Sequence, residues 1–538
     1  MDNTNKNPIF SIKNFRSFGE DGADFELAPI TVLTGCNSAG KSSLVKALLL
    51  LSKTHENEIG GELSRKTPST IFPVSIQELA LGKFDNVLNK KSNNRSIEMS
   101  YTIWSNCLQE EVRVKRNFIS KKNDVLNNGE LLLYTIEKLD GTTIYNYKGE
   151  IDIDGGNFQF DVIKENYKLF LSAVEYYNIK HFLESADEMN DKTILEGSEK
   201  EIQDMRIKLV NLKEKFASLS EEKFGDTIKI WNDVIKVRQD ELSSLLGRMS
   251  GLDDTSREKI INKFKDDDEE KNKVLFETMI VNETLRPAFI KNVNYADSSS
   301  ATVRRLYTTE ENNKIGEAFR ELLSKEMSYR DASDEGIIHF NSPGHFLRKW
   351  IEKFGVGYGI KIQGTDQGTG ILVYLIKNGE KILLADEGYG ITQLVALVLN
   401  IDNNIPLEPD GDYDVKTGEM SYIPKYICVE EPENHLHPKF QSLLSEMFVE
   451  AYQKYNIHFI IETHSEYLIR KLQVMVADKE NALTSNDVSL NYVEKNEEGI
   501  SHNRQIKIKE DGRLDGSFGE GFYDEAGNLS RIILKMSD

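Results

Sequence analysis

Cysteine is scarce in this sequence, and long apolar runs are missing. The three cysteines among 538 residues, Cys36, Cys107 and Cys428, are far apart. Zinc sites and disulfide frameworks need more cysteines at shorter spacings, so both are excluded and a reducing compartment is indicated. No stretch approaches the ~20 apolar residues that span a bilayer. The first residues are polar, without the apolar segment of a secretory signal, so we expect a cytoplasmic protein with no membrane partner.

Positive charge is also in short supply. The chain has 67 Lys and Arg residues against 88 Asp and Glu residues, which gives a formal net charge of −21. A nucleic-acid backbone repels such a chain, so wholesale adhesion to DNA or RNA is excluded, whereas a local basic groove is not. Apolar residues make up 39% and charged residues 29%, a balance typical of a globular protein.

The pattern of apolar residues divides the chain into three parts, 1–164, 165–342 and 343–538. The first part has one predicted helix over 41–52 and strands at 9–15, 30–34, 97–104, 112–118, 131–136 and 149–161. The second part is charged and helical. The third alternates strands and helices, as α/β proteins do. Its predicted elements are a helix at 345–354, strands at 358–364, 370–377 and 381–385, a helix from 391, strands at 426–430 and 457–462, helices at 438–454 and 466–476, and strands at 487–494 and 502–509.

A heptad-like repeat runs through 202–249 in the middle part. Its apolar residues recur at spacings of three and four, with a polar break at 220–225. Two such runs predict a short antiparallel coiled-coil hairpin, with arms roughly 35 Å long at ~1.5 Å per residue. The pattern leaves an ordinary helical subdomain, packed on the body, as the alternative.

A glycine-rich loop follows the apolar run 30–34 and precedes the helix predicted over 41–52. It reads Gly35-Cys-Asn-Ser-Ala-Gly40-Lys41-Ser42, a full match to the phosphate-binding P-loop. Its backbone N–H groups can wrap around phosphates, and the helix start adds the positive end of a dipole. Lys41 is expected to reach the β- and γ-phosphates of ATP, and Ser42 to ligate Mg²⁺. The residues predicted to hold the nucleotide here are Gly35, Asn37, Ser38, Ala39, Gly40, Lys41, Ser42 and Ser43.

Two adjacent carboxylates end the strand predicted at 426–430. Successive residues of a strand face opposite sides, so Glu430 and Glu431 cannot do the same work. We expect Glu430 to hold Mg²⁺ and Glu431 to act as the general base that activates water. His464 follows the next predicted strand, where it could sense the γ-phosphate. Lys41, Glu431 and His464 are thus the predicted catalytic residues.

A second glycine pair precedes the helix that begins near residue 391. The sequence there is Asp386-Glu-Gly388-Tyr-Gly390-Ile-Thr392-Gln393. A helix start of this kind favours phosphate. Because one ATP already has its own P-loop, we expect Gly388, Gly390 and Thr392 to cap the ATP of a second subunit. A tight turn with Thr392 as a helix cap is the alternative.

In this order, the four motifs resemble the ATP-binding-cassette (ABC) ATPase heads of the structural-maintenance-of-chromosomes (SMC) group. Two further stretches carry the resemblance, Ile12-Lys-Asn-Phe-Arg16-Ser-Phe18 and Glu430-Glu-Pro-Glu-Asn-His-Leu-His437-Pro438. It covers about 1–105 and 340–538 and implies an α/β P-loop NTPase head with an N-terminal β-rich lobe and an inserted short coiled-coil or helical arm.

The resemblance also implies an assembly and a chemistry. Two heads would meet face to face, as a homodimer or within a higher oligomer, with ATP and Mg²⁺ between them. Arg16 would lie near the nucleotide, Gln77 would match the Q-loop glutamine, and His437 would lie at the interface. Glu430 stands where an aspartate is usual, and the signature is not Leu-Ser-Gly-Gly-Gln. These two departures imply slow hydrolysis, or a switch set by ATP binding alone.

Within this group the chain is similar to the ATPase subunits of bacterial anti-phage systems such as Septu, PARIS and retrons. Those ATPases pair with a separate nuclease or toxin, which implies a nucleotide-dependent sensor or scaffold that controls an effector protein. Related overcoming-lysogenisation-defect nucleases add a C-terminal TOPRIM domain. The stretch after His464 is shorter than the ~100 residues of a modest domain and has no acidic cluster of that kind. We therefore expect no nuclease activity from the chain itself.

A DNA-binding ATPase of repair or chromosome maintenance is the alternative function. It is supported by basic residues at Lys90-Lys91, Arg113-Val-Lys115-Arg116 and Lys121-Lys122. On a hairpin these residues could line a groove for DNA, or they could form an ordinary exposed strand face. A transporter ATPase is not expected, because the sequence offers no membrane segment.

Overall fold

Two large β-sheets with helices packed on them make up the computed structural model. The residues it describes are 6–55, 71–75, 79, 81–121, 128–149, 157–172, 203, 206–212, 269–285, 287–296, 304–308, 314–334, 341–365, 370–411, 413–414, 419–420, 422–480, 483–519, 522 and 528–533.

Within the described ranges, strands occur from the first residues to the last part of the chain, and most of the longer helices lie after residue 268. The strands are β1 (Ile9–Lys13), β2 (Ala23–Glu26), β3 (Ile30–Gly35), β4 (Ile71–Phe72), β5 (Ile97–Ser105), β6 (Glu110–Ser120), β7 (Gly129–Lys138), β8 (Thr143–Lys148), β9 (Asn157–Phe158), β10 (Val293–Ala296), β11 (Tyr307–Thr308), β12 (Gly359–Gly364), β13 (Gly370–Lys377), β14 (Glu380–Leu383), β15 (Tyr413–Asp414), β16 (Glu419–Met420), β17 (Lys425–Glu430), β18 (Ile457–Glu462), β19 (Val488–Lys495) and β20 (Ser501–Ile506). The helices are Lys41–His55, Phe84–Val87, 160–172, 206–212, Glu269–Leu285, Ala288–Lys291, Lys314–Asp334, His345–Lys353, Tyr389–Asn404, Pro438–Tyr455 and Glu466–Ala477, with 3-10 turns at Leu384–Asp386 and Ser485–Asp487.

The α/β part of the fold is a six-stranded sheet, the central sheet, with strand order β10-β17-β18-β3-β19-β20. β3 pairs in parallel with both β18 and β19, and among the six described strands of this sheet β20 alone runs antiparallel to its neighbour. Every residue of β3 is buried. Its side chains alternate between two cores, because Leu33 packs with the N-terminal lobe while Ile30 and Val32 pack with the C-terminal helices.

The N-terminal part forms a β-rich lobe, as predicted, and the sheet of this lobe is antiparallel. Its strand order is β2-β1-β5-β6-β7-β8-β9, and β4 pairs with β7. β6 shows the alternation of a strand with one buried face, and its buried residues are Val112, Val114, Arg116 and Phe118. The strands predicted at 97–104, 112–118 and 131–136 are confirmed with slightly wider bounds.

The strand predicted over 149–161 is confirmed only at Asn157–Phe158, and its last two residues belong to a helix over 160–172 instead. Residues 150–156 of that prediction lie outside the described residues, and the strand Thr143–Lys148 was not predicted. The Asp140 carboxylate accepts a hydrogen bond of 2.8 Å from the Thr142 backbone N–H in the turn between β7 and β8. This Asp-Gly turn closes a hairpin, so the next strand begins directly after it.

Elements from the middle part of the chain contact both large sheets. Helix Glu269–Leu285 packs on the lobe, where the Tyr101 hydroxyl donates to the Thr284 carbonyl oxygen at 2.7 Å. β10 joins the central sheet beside β17. Both elements fall inside 165–342, so part of that range belongs to the head, and the three-part division stays a prediction. The predicted coiled-coil hairpin at 202–249 lies outside the described residues, except for helical residues 203 and 206–212.

The elements predicted for 343–538 are confirmed to within a few residues at each end. They supply the strands β17, β18 and β19 and the helices that cover the central sheet. Within the described ranges, no helix has both the length and the apolar character that crossing a membrane would require.

Candidate nucleotide site

Three strands of the central sheet end side by side at one edge. β3 ends in Gly35, β17 in Glu430 and β18 in Glu462. β18 lies between the other two, and Glu430 and Glu462 are paired in register. The phosphate loop, the acidic pair and His464 therefore start from neighbouring strand ends, where α/β proteins bind their ligands.

Backbone conformations that favour glycine shape the phosphate loop. The φ angle is +135° at Gly35 and +106° at Gly40, and Ser38 is also left-handed at +59°. A Cβ atom at Gly35 would lie 2.0 Å from the Val493 carbonyl oxygen on β19. No larger residue fits there, so the loop leaves β3 along a path that only glycine allows. The tip of the loop, 36–38, is exposed.

Lys41 lies beneath this loop and is only 4% exposed. Its Nζ donates hydrogen bonds to the carbonyl oxygens of Gly35 at 3.2 Å and Cys36 at 3.0 Å. The same atom lies 4.0 Å from Oε1 of Glu462. Burial lowers the pKa of Lys41, and the Glu462 carboxylate opposes that shift. The ammonium group is therefore held against the loop, at the position where a phosphate would meet it.

The C-terminal strands support the loop from behind. The Ser501 hydroxyl donates to the Ala39 carbonyl oxygen, and the Ser501 backbone N–H donates to the Ser17 carbonyl oxygen at 2.9 Å. Ala39 and Ser43 are buried. Their backbone N–H groups donate to the carbonyl oxygens of Cys36 at 3.2 Å and Gly40 at 2.9 Å, so both residues help to hold the shape of the loop. Sequence reasoning missed Ser501, because no motif marks a serine that acts through a partner more than 400 positions away.

Glu430 and Glu431 have different surroundings. Glu431 has a φ of +45°, its backbone N–H donates to the Glu462 carbonyl oxygen at 2.7 Å, and its Oε2 accepts from Asn434 Nδ2 at 2.6 Å. Glu430 instead lies within electrostatic reach of Arg16. Burial lowers the pKa of Arg16, and the charges of Glu430 and Glu462 oppose that shift. Arg16 thus lies beside the acidic strand ends, next to the phosphate loop.

His464 stands at the mouth of the site and is held through its backbone. Its N–H donates to Oε1 of Glu433 at 2.6 Å. Glu433 is 7% exposed, and burial raises the pKa of its carboxyl. Burial and then the charge of Lys41 lower the pKa of His464, and Glu431 opposes them. Lys41, Glu431 and His464, predicted to be catalytic, are therefore close enough to influence one another's charge.

Glu462 is a residue of this site that sequence reasoning did not single out. It accepts a hydrogen bond from the Ser42 side chain, and it is buried. Burial raises the pKa of Glu462, while Ser42 and then Lys41 oppose the shift. The only signal in the sequence is an acid at the last position of a strand, and such acids are too common to be distinctive.

The second glycine pair lies at a helix start, as predicted. Gly388 caps helix Tyr389–Asn404, and it is exposed. A Cβ atom at Gly388 would have no described atom within 4 Å, whereas one at Gly390 would lie 2.4 Å from the His435 carbonyl oxygen. Thr392 is buried, and its Oγ1 donates to the Tyr389 carbonyl oxygen at 2.7 Å. The helix start at Gly388 is therefore accessible from outside, whereas the Thr392 side chain is occupied by a hydrogen bond within its own helix.

Oxygen atoms suited to Mg²⁺ gather at the strand edge. Ser42, Glu430 and Glu462 supply a hydroxyl and two carboxylates, and Mg²⁺ prefers such oxygens. Oε2 of Glu462 is buried without a hydrogen-bond partner among the described residues. No group of three or more His, Cys, Asp or Glu side chains in the described ranges forms a metal cage. This arrangement fits an ion that takes one or two carboxylates together with the phosphates of ATP.

Three further residues singled out from the sequence are not part of this nucleotide site as the structure describes it. His437 caps helix Pro438–Tyr455, where its Nδ1 accepts from the Lys439 N–H at 3.2 Å. Gln77 lies outside the described residues. Arg116, part of the basic stretch considered for DNA, is 1% exposed and donates to the Leu285 carbonyl oxygen at 3.0 Å. The reading of Arg116 as an exposed DNA contact is wrong, because helix Glu269–Leu285 covers it.

The sequence as a whole matches two family models. One, described as an AAA ATPase domain, matches residues 9–469. The other, described as a protein of unknown function (DUF3696), matches residues 483–531, which include β19 and β20. A comparison with curated proteins finds no match.

Several solved structures share a distant likeness with the chain. The Smc head domain of Pyrococcus furiosus, with an extended coiled coil and bound to the C-terminal domain of ScpA, is 10% identical, with 99% of this chain and 100% of that chain covered and a TM-score of 0.34. The Smc head domain of Pyrococcus yayanosii, with a coiled coil and joint, is 11% identical, with 93% and 97% covered and a TM-score of 0.37. The SMC head domain of Thermotoga maritima is 9% identical, with 94% and 100% covered and a TM-score of 0.33.

These structural likenesses are too distant to decide anything about this chain. The family model is different, because its match extends over most of the sequence and includes the phosphate loop, the second glycine pair, the acidic strand end and His464. The chain belongs to the AAA ATPase domain family.

Proposed function

We propose that this chain binds Mg²⁺-ATP at the strand edge, hydrolyses it slowly, and uses the nucleotide to open and close a head-to-head dimer. One observation above others supports this. The Glu462 carboxylate accepts a hydrogen bond from the Ser42 side chain and lies 4.0 Å from the buried Lys41 ammonium, and Glu431 and His464 lie beside them. Such a set binds and cleaves a triphosphate.

Each residue has a defined task in this proposal. Lys41 binds the β- and γ-phosphates, and the backbone N–H groups of the loop surround them. Glu431 takes a proton from the attacking water on one carboxylate oxygen, while Asn434 holds the other oxygen. His464, whose neutral form is favoured, contacts the γ-phosphate. Mg²⁺, when bound, polarises the phosphate oxygens as a Lewis acid.

The second half of each site comes from another copy of the chain in this proposal. Gly388 is exposed at the start of a 16-residue helix, and no described atom lies within 4 Å of where its Cβ would be. A helix start presents free N–H groups and a positive dipole end to an anion. Gly388 and Gly390 of one head are therefore proposed to cap the γ-phosphate bound by Lys41 of the other head.

Light scattering with purified protein tests this proposal. The mass is measured without nucleotide, with ATP and EDTA, and with ATP and Mg²⁺, alongside phosphate release. We expect slow phosphate release and a larger particle in the presence of ATP, both lost in a Lys41→Ala variant. Phosphate release at the wild-type rate from Lys41→Ala would refute the site, and a mass that never changes with nucleotide would refute the dimer.

For the biological role, we propose a nucleotide-dependent sensor or scaffold that controls a separate nuclease or toxin in anti-phage defence. The formal net charge of −21 favours contact with a basic protein over contact with nucleic acid. Co-expression with the products of the neighbouring genes tests the role. A neighbour should co-purify with the chain and change its association when ATP is added, and the absence of any such neighbour would count against an effector.

A DNA-clamping role is the second candidate, supported by the exposed Lys90 and Lys91. Its other basic residues offer less support. Arg116 is buried, and Lys115 forms an ion pair of 2.5 Å with Glu137. Binding to a DNA duplex at increasing salt separates the two roles. Affinity that falls steeply with salt would favour the clamp, whereas no binding at low salt would remove it.

A further inference from the structure

Glu462 has the position of a metal ligand, although the sequence assigns no role to it. It is the last residue of β18 and pairs in register with Glu430, the last residue of β17. Side chains at paired positions of neighbouring parallel strands point to the same face of a sheet, and the strands lie about 4.8 Å apart. The two carboxylates therefore leave the sheet edge side by side.

The contacts of Glu462 connect it to the phosphate loop. The Ser42 hydroxyl donates to its carboxylate, and Lys41 Nζ lies 4.0 Å from Oε1. That distance is at the limit of an ion pair, because the hydrogen bonds of Lys41 go to the carbonyl oxygens of Gly35 and Cys36. Among the described residues, Ser42, the residue expected to ligate Mg²⁺, is thus the hydrogen-bond partner of the Glu462 carboxylate.

The other oxygen of Glu462 lacks a partner. The residue is 7% exposed, and Oε2 is buried without a hydrogen bond to any described residue. A buried carboxylate oxygen left unpaired is costly, so proteins normally supply a donor or a cation. The described residues supply no hydrogen-bond donor to Oε2, although the charges of Lys41 and Lys46 act on the carboxylate from a distance. A metal ion shared with the neighbouring Ser42 and Glu430 would give this oxygen a direct partner.

We propose that Glu462 is a second carboxylate ligand of Mg²⁺, acting with Ser42 and Glu430. The inference rests on the proposed binding of Mg²⁺-ATP at this strand edge. Mg²⁺ is commonly bound through one or two carboxylates together with substrate phosphates. Glu462 would therefore touch the ion itself, beside the Glu430 carboxylate on the neighbouring strand.

Removing the charge of Glu462 while keeping its shape tests the proposal. A Glu462→Gln variant keeps an oxygen that can accept from Ser42, but its amide is a poor Mg²⁺ ligand. Binding of a fluorescent ATP analogue is measured with Mg²⁺ and with EDTA, and Mn²⁺ binding is followed by electron paramagnetic resonance in the presence of ATP. Glu466→Gln is the matched control, since Glu466 lies four residues away and pairs with Arg470 at 2.5 Å.

We expect Glu462→Gln to reduce the gain in ATP affinity on adding Mg²⁺ at least tenfold. Affinity in EDTA should stay equal or improve, because one negative charge is gone. The Mn²⁺ signal of the bound ion should weaken in parallel, and Glu466→Gln should behave as wild type. Equal weakening with and without Mg²⁺ would show that Glu462 only holds Ser42 and Lys41, and it would overturn the proposal, as would an unchanged response.

A second variant decides the matter if Glu462→Gln does not fold. Glu462→Asp keeps the charge but shortens the side chain, so it should lower the Mg²⁺-dependent gain and leave affinity in EDTA unchanged. A full Mg²⁺ response from Glu462→Asp would then overturn the proposal. A wild-type protein that binds no ATP would overturn the proposed function and this inference with it, whereas the variant outcomes test Glu462 alone.

Discussion

Gly390 and His435 are in direct contact. A Cβ atom at Gly390 would lie 2.4 Å from the His435 carbonyl oxygen, and the rings of Tyr389 and His435 pack edge to face with centroids 5.0 Å apart. His435 lies four residues after Glu431, in the loop that follows the acidic strand end. The helix start proposed to meet a second copy is therefore joined to the loop that carries the general base.

Gly390→Ala should destabilise the protein. The added methyl group has no room against the His435 carbonyl, and overpacking of this kind costs about 1–3 kcal/mol. Gly388→Ala is the matched control, because its Cβ meets no described atom within 4 Å and its φ of −62° suits alanine. Chemical denaturation measures both variants. Equal stability of the two would contradict the contact between Gly390 and His435.

Lys41→Ala should weaken ATP binding strongly. The ammonium group makes charge-assisted bonds to phosphate worth about 1.5–3 kcal/mol each, so affinity should fall roughly 10- to 100-fold or more. Titration with a fluorescent ATP analogue measures the loss. Ser52→Ala, in the same helix, is the control and should bind normally. Wild-type affinity in Lys41→Ala would mean that the nucleotide binds elsewhere.

Glu431→Gln should separate binding from turnover. The amide cannot take a proton from water, so hydrolysis should drop by roughly 10²- to 10⁴-fold. The contacts of the phosphate loop remain, so ATP binding should persist and the ATP-bound dimer should accumulate. Phosphate release and light scattering measure the two effects together. Hydrolysis at the wild-type rate would remove Glu431 from the role of general base.

The stability of the fold should fall as the pH drops below neutrality, and His458 should contribute to this. Burial on β18 lowers the pKa of His458 from 6.5 to about 4. The unfolded chain then binds more protons than the folded one between these values. The contribution of His458 is complete above pH 6.5 and is lost as the pH falls toward 4, by about 3 kcal/mol in total.

A His458→Gln variant isolates this contribution. Its Nε2 lies 2.9 Å from Oδ1 of Asn456, and glutamine can keep a hydrogen bond there. The free energy of unfolding is measured from pH 4 to pH 8 for both proteins. We expect the difference between them to change over pH 6.5 to 4. A constant difference would show that His458 protonates equally in the folded and unfolded states.

Local patterns were sufficient for much of the fold and the site. The phosphate loop has a fixed spacing, and buried parallel strands are apolar runs that end in a polar residue, so Lys41, Glu430 and His464 could be found one by one. The order of strands β17, β18 and β3 also agrees with the predicted neighbourhood of the acidic pair and His464.

Contacts between segments that are far apart in the sequence could not be predicted from local patterns. Arg116 is charged and therefore expected at the surface, but it lies on the buried face of β6, and a helix more than 150 positions later covers it. The role proposed for Glu462 depends on its interaction with Ser42, which lies more than 400 positions earlier in the sequence. The strand β10 is four residues long and lies within a region predicted to be helical. Its pairing with β17 shows it to be a strand, whereas its own apolar pattern is too short to predict one.

A cross-link between two copies tests the central claim most directly. Cys36 is exposed at the phosphate loop, whereas Cys107 and Cys428 are buried, so Gly388→Cys adds one accessible thiol opposite the native one. The variant is built with Glu431→Gln and treated with a short thiol cross-linker, with ATP and Mg²⁺ or without nucleotide. We predict a covalent dimer of twice the chain mass that forms only with ATP and disappears when Lys41→Ala is added. A product that stays at the mass of one chain under all conditions would contradict a nucleotide shared between two heads.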